Sequence, residues 1–181
     1  MSRYRARLGL KGFDASDSVG LSGGLALYWH EALCVDVKTI NERYIDAYVT
    51  SVVGEPPWRL TCVYGEPRTE DRHRMWSILR DLHRQANMPW AVVGDFNEAM
   101  WGFEHFSATP RSACQMINFR DVLEVCGLGD LGLEGCLTHM ITNKLDVQML
   151  RSALIGRWQP MLGGTCLNLL RWNTWWHLAQ T

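Results

Sequence analysis

Five consecutive apolar residues, Trp90-Ala91-Val92-Val93-Gly94, run straight into the polar stretch Asp95-Phe96-Asn97-Glu98. A half-exposed strand alternates apolar and polar positions, so a run of strand length with no polar position is the mark of a strand covered on both faces. Covering both faces takes further layers, which predicts an α/β architecture and excludes an all-helical chain. The 181 residues supply enough chain for one such domain, since a domain of this size buries roughly 70% of its unfolded surface. With 47% hydrophobic and 20% charged residues, the composition excludes a disordered tail, a collagen-like rod and a simple coiled coil. Nine tryptophans add large, rigid groups to the core.

The remaining elements are read outward from that strand. After the turn-rich Gly20-Leu21-Ser22-Gly23-Gly24, three apolar runs predict strands at Leu25 to His30, Leu33 to Lys38 and Tyr44 to Val53. In the last of these Ile45, Ala47, Val49 and Ser51 alternate with Asp46, Tyr48, Thr50 and Val52. Glu55-Pro56-Pro57 breaks the pattern and Trp58 to Tyr64 starts a fourth strand, so an antiparallel meander is expected. Thr69 is placed to cap a helix with Glu70 and Asp71 in its first turn, where the helix dipole favours acids. Met75, Leu79 and Leu82 recur at helical spacing, and Asn87 with Pro89 ends the run. A second helix is predicted over Ala113 to Cys126, with Met116, Phe119, Leu123 and Cys126 on one stripe and Gly127 just beyond its end. The glycines of Gly127-Leu128-Gly129-Asp130-Leu131-Gly132 fit the dinucleotide-binding pattern, but they follow a helix and lead to a strand, the reverse of what that site needs. Asp146 to Ile155 reads as a short helix, and Gly163 to Thr181 has no clean period.

Charge and cysteine usage narrow the function classes. Eighteen basic and nineteen acidic residues give a net charge of -1, so bulk charge does not hold nucleic acid here and DNA binding is expected to be weak or absent. No apolar stretch reaches the roughly 18 residues of a spanning helix, and no membrane span is expected. Arg3, Arg5, Arg7 and Lys11 precede the first acid without the apolar core of a secretory signal. Cytoplasm or nucleus is the expected location, with a mitochondrial presequence as the alternative reading of that basic start. The six cysteines, Cys34, Cys62, Cys114, Cys126, Cys136 and Cys166, form no CxxC pair and read as reduced, mostly buried thiols. Cys126, Cys136 and His139 do not have the spacing of zinc ligands, and no metal site is expected from them.

The polar residues after the apolar strand are the place for chemistry. In an extended segment residues two apart face the same way, so Asp95 and Asn97 are expected to project together from the strand's carboxyl end. A carboxylate beside a carboxamide can orient a water and contact phosphate oxygens when a hard cation or other donors share the charge. The same two residue types also serve as plain turn formers.

Four blocks in order give these residues a context: Ser22-Gly23-Gly24-Leu25-Ala26-Leu27-Tyr28-Trp29; Trp58-Arg59-Leu60-Thr61-Cys62-Val63-Tyr64-Gly65; Pro89-Trp90 through Asn97-Glu98; and Phe119-Arg120 through Cys126-Gly127-Leu128 to Asp130-Leu131-Gly132. Over about residues 8 to 143 the chain resembles the endonuclease domain of plant LINE-type retrotransposons, within the endonuclease/exonuclease/phosphatase (DNase I-like) superfamily. The resemblance implies a partial four-layer α/β sandwich, with two facing mixed sheets and outer helices. It divides the chain into a truncated domain over 1–158 and a divergent tryptophan-rich tail over 159–181. By position it implies that Tyr64 contacts phosphate, Asp95 the nucleophilic water or leaving group, and Asn97 phosphate and geometry.

The resemblance is incomplete. The family's catalytic asparagine and metal-binding glutamate lie upstream of the stretch matched by Leu8 to Trp29. Asp146 to Leu154 looks like a decayed form of its Arg-Leu-Asp-Arg segment, and no Ser-Asp-His occurs. Glu66, Glu70, Asp71, Glu98 and Glu104 sit in no motif that makes one of them the replacement ligand. No cofactor is expected, and magnesium only if activity is retained. Three functions follow: an inactive endonuclease-like domain, an interaction module working through a protein partner or as a homo-oligomer, or a residual metal-dependent phosphodiesterase.

Overall fold

The computed structural model describes residue 10 and residues 12–16, 25–51, 56–102, 111–130 and 152–156. Its strands are β1 (Gly12–Ala15), β2 (Ala26–Trp29), β3 (Leu33–Ile40), β4 (Tyr44–Ser51), β5 (Trp58–Tyr64), β6 (Trp90–Asp95), β7 (Leu128–Asp130) and β8 (Ser152–Gly156). Its helices are α1 (Arg72–Gln85), entered through a 3-10 turn at Thr69–Asp71, and α2 (Ala113–Val125). Among the described residues, one six-stranded sheet runs in the order β3-β4-β5-β6-β8-β7, and β1 and β2 form a second, two-stranded sheet.

The apolar run of β6 lies inside the large sheet, buried on both faces, and its alternation sorts two cores. Trp90 and Val92 face α1 and α2, where Met75, Leu79, Leu82, Phe119, Val122 and Leu123 pack. Ala91 and Val93 face the other way, joining Leu25, Leu27 of β2, and Ile45, Ala47 and Val49 of β4. Each fully buried Leu or Val there contributes roughly 1.5–3 kcal/mol. The result is the expected mixed α/β arrangement of two sheets with helices.

The meander is present as β3-β4-β5, antiparallel throughout. β2 does not join it: it pairs antiparallel with β1, a strand the sequence did not announce, and Phe13 stacks on Tyr28 across that pair. β5 and β6 are parallel, as the α1 crossover between them requires.

Three local expectations are corrected. Thr69 starts a 3-10 turn instead of capping an α-helix; its side chain makes no capping bond, and the Asp71 amide donates to the Arg68 carbonyl instead. α1 begins only at Arg72. The helix expected over Asp146 to Ile155 is not what Ser152–Gly156 forms. That segment is β8, paired antiparallel with β6 on one side and β7 on the other, because two open ladders outweigh a weak helical pattern. Of the cysteines, Cys62 and Cys126 are buried but Cys34 and Cys114 are exposed. Cys136, His139, Cys166, Glu104 and the tail over 159–181 lie outside the described residues, as does the rest of the expected helix.

Candidate active site

Tyr64 ends β5 and Asp95 ends β6, and the two are direct partners in the parallel register. The site therefore sits at the carboxyl ends of two parallel strands, where α/β folds commonly place their chemistry. Alternation puts Tyr64 on the side of Cys62, and its ring packs against the core shared with β2. Gly94 and Gly65 permit the close approach of the two strand ends. Gly94 has φ +141°, and a Cβ there would strike the Val63 carbonyl. A Cβ on Gly65 would strike the Phe96 backbone. The Gly65 amide donates to the Asp95 carbonyl at 2.6 Å, extending the ladder one step past the strand ends.

Asp95 and Asn97 are brought together, but not as neighbours on a pleat. The strand stops at Asp95 and Phe96 turns into the core against Phe119, with ring centroids 5.9 Å apart. Asn97 then takes a left-handed conformation at φ 53°, which asparagine tolerates better than most residues. Its amide donates to Asp95 Oδ1 at 3.0 Å and its Nδ2 donates to the Gly65 carbonyl at 3.0 Å. The carboxamide thus fastens the β6 turn to the end of β5. Tyr64, Asp95 and Asn97 form one constellation at the carboxyl ends of the two central strands.

Behind it lies a charge network around Glu98, an acid that no motif singles out. Glu98 directs its carboxylate toward the helices, where it accepts from Trp76 Nε1 at 3.1 Å, Arg111 Nη1 at 3.1 Å, Gln115 Nε2 at 3.1 Å and Arg72 Nη1 at 3.4 Å. Its side chain is 3% exposed. Burial pushes the Glu98 carboxyl above its ordinary value, opposed by Arg72, Arg111 and the hydrogen bonds of Trp76 and Gln115. Burial likewise lowers the Arg72 guanidinium, with Glu98 and Asp95 pulling it back up and Arg111 adding to the fall. Glu66, also buried, pairs with Arg43 at 2.7 Å. The partners of Glu98 lie 13 to 26 residues from it in the chain, so no local spacing reveals them.

These commitments decide what the site can hold. A hard divalent cation needs several oxygen ligands, carboxylates above all. Glu98 and Glu66 are occupied by guanidiniums, and among the described residues no group of three His, Cys, Asp or Glu side chains converges. The described donor set does not fit a magnesium site.

The sequence model of the Endonuclease/Exonuclease/phosphatase family matches residues 3–179. Among solved structures, the chain is similar to the endonuclease domain of TRAS1, a telomere-specific non-LTR retrotransposon, at 11% identity and a TM-score of 0.55, covering 81% of this chain and 68% of that one. It is similar to the human Nocturnin catalytic domain at 12% identity and a TM-score of 0.52, covering 86% of this chain and 63% of that one. At such identities the likeness is one of fold. No curated protein matches the chain.

Proposed function

Because the chain belongs to the endonuclease/exonuclease/phosphatase family, we propose that these 181 residues are a retroelement-derived endonuclease-like domain, of the plant LINE type, that does not cleave DNA by itself. The four ordered sequence blocks, Ser22 to Trp29, Trp58 to Gly65, Pro89 to Glu98 and Phe119 to Gly132, support the retroelement origin. The observation that supports a loss of catalysis is the engagement of Glu98 and Glu66 by arginines, which leaves Asp95 no second carboxylate for a metal among the described residues. Tyr64 and Asn97 lie beside Asp95 at the strand ends, and one carboxylate among the described residues with a net charge of -1 gives a phosphodiester little to hold it and no activated water. Groups that act as a unit lose nearly all their rate together.

Nicking of supercoiled and abasic plasmid with magnesium tests this. The expected rate is that of a protein-free control. Robust nicking that disappears in Asp95→Ala would establish the residual phosphodiesterase instead.

The outer strands favour a second role. Among the described residues nothing pairs with the outer edges of β3 and β7, and an open edge recruits further strands. An interaction module acting through a protein partner or a second copy uses such an edge.

A further inference from the structure

Glu98 is next to Asn97 in the chain, yet its carboxylate serves the other side of the sheet end. The two guanidiniums that converge on it are each tied a second time, to the backbone of the loops that carry the site. Arg72 Nε donates to the Glu66 carbonyl at 3.3 Å and Arg72 Nη2 to the Pro67 carbonyl at 3.3 Å, which holds the loop leaving β5. Arg111 Nη1 donates to the Asn97 carbonyl at 2.8 Å, which holds the turn leaving β6. The carboxylate stands between the two guanidiniums, at 3.4 and 3.1 Å. A single buried side chain therefore joins the loop after Tyr64 to the turn that contains Asp95 and Asn97.

We infer that Glu98 is a positioning residue: through Arg72 and Arg111 it locks the Gly65–Pro67 loop to the Asp95–Asn97 turn, fixing the mutual geometry of Tyr64, Asp95 and Asn97. Removing its charge leaves two guanidiniums facing each other in a poorly solvated place. They repel, and each can relax only by releasing the carbonyl it holds. The bonds that then open are those of the two loops, from the Gly65 amide to the Asp95 carbonyl, from Asn97 Nδ2 to the Gly65 carbonyl and from the Asn97 amide to Asp95 Oδ1. The ladders further down β5 and β6 do not depend on Glu98. The inference rests on these loops carrying the site, and it holds whether or not the chain cleaves DNA.

Residue-resolved amide exchange on the full-length protein tests it without any nucleic acid. In Glu98→Ala the Gly65 and Asn97 amides are expected to exchange at least tenfold faster, while those of Thr61, Leu79 and Val92 keep their wild-type rates; Glu98→Gln, which keeps the shape without the charge, falls between. A purely structural role lowers protection everywhere at once, because exchange then proceeds through global unfolding. Unchanged rates at Gly65 and Asn97, or a uniform rise across all five amides, overturn the inference. Should Glu98→Ala fail to fold, Arg111→Ala removes only the arm to Asn97 and is read on the same amides by the same criteria.

Discussion

Arg59 carries its charge into the interior at 1% side-chain exposure, directly beneath α1. It grips Asp46 with two parallel bonds, Nε to Oδ1 at 2.8 Å and Nη2 to Oδ2 at 2.9 Å, and reaches the Leu82 carbonyl and Gln85 in the last turn of the helix. Thr61 donates to the same carboxylate at 2.6 Å and in turn accepts from Trp90 Nε1 at 2.8 Å. A cation at a helix carboxyl end is favourable, but the arrangement tolerates no gap. Asp46→Ala strands the guanidinium without a counter-charge and is expected to cost about 3–5 kcal/mol in urea unfolding. A loss under 1 kcal/mol, within the range of an exposed pair, would contradict the reading of this pair as buried. Glu98 makes a different prediction. Its carboxyl is raised by burial, so the folded state holds its proton to higher pH than the unfolded state does. The stability it contributes is full below the unfolded value and is lost as pH rises through the folded one. The melting temperature of wild type relative to Glu98→Gln is expected to fall as pH climbs from the ordinary glutamate range and to level off above it. A difference that grows over that interval would show the arginines, not burial, to dominate.

Among the elements, β8 is the one whose removal says most. It covers the edge of β6 over Trp90 to Gly94 and is the strand to which β7 pairs. A chain ended at residue 150 should therefore expose an apolar ladder, bind hydrophobic dye and sediment as aggregate. A soluble monomer from that truncation would mean β6 can stand as an edge. At this element the helical pattern of the sequence gives way to a strand, and the reason is physical. β6 announced itself because burial on both faces erases polar positions, and β4 because its alternation is local. The pairings that make Ser152–Gly156 a strand lie more than fifty residues away in β6 and more than twenty away in β7, beyond the reach of a window on the sequence. The same limit governs the site. Asp95 and Asn97 were legible from the end of an apolar strand, and Tyr64 from the resemblance. The direction in which Asn97 turns is not, since its carboxamide reaches the Gly65 carbonyl, 32 residues away in the chain. Glu98 was visible only as one acid among several, because its four partners come from two helices and the segment before the second.

For the whole molecule the question is what its sheet edges meet. β3 offers eight residues, but a bulge between Val37 and Thr39 and the charge of Lys38 blunt its second half, leaving Leu33 to Val37 as the regular part. β7 is three residues long. Association through such edges is expected to give a homo-oligomer in light scattering on the purified chain. A monodisperse monomer at high concentration that binds no hydrophobic dye would exclude it. The sheet order has a further consequence, measured in time. β6 is complete at Asp95, and the strand that closes its flank begins at Ser152. At about 5–20 residues per second, a ribosome takes roughly 3 to 11 seconds to make the stretch between them. For that interval the most apolar strand of the nascent protein has a ladder open to any neighbour, and the cell's chaperones meet this chain before its own residues can.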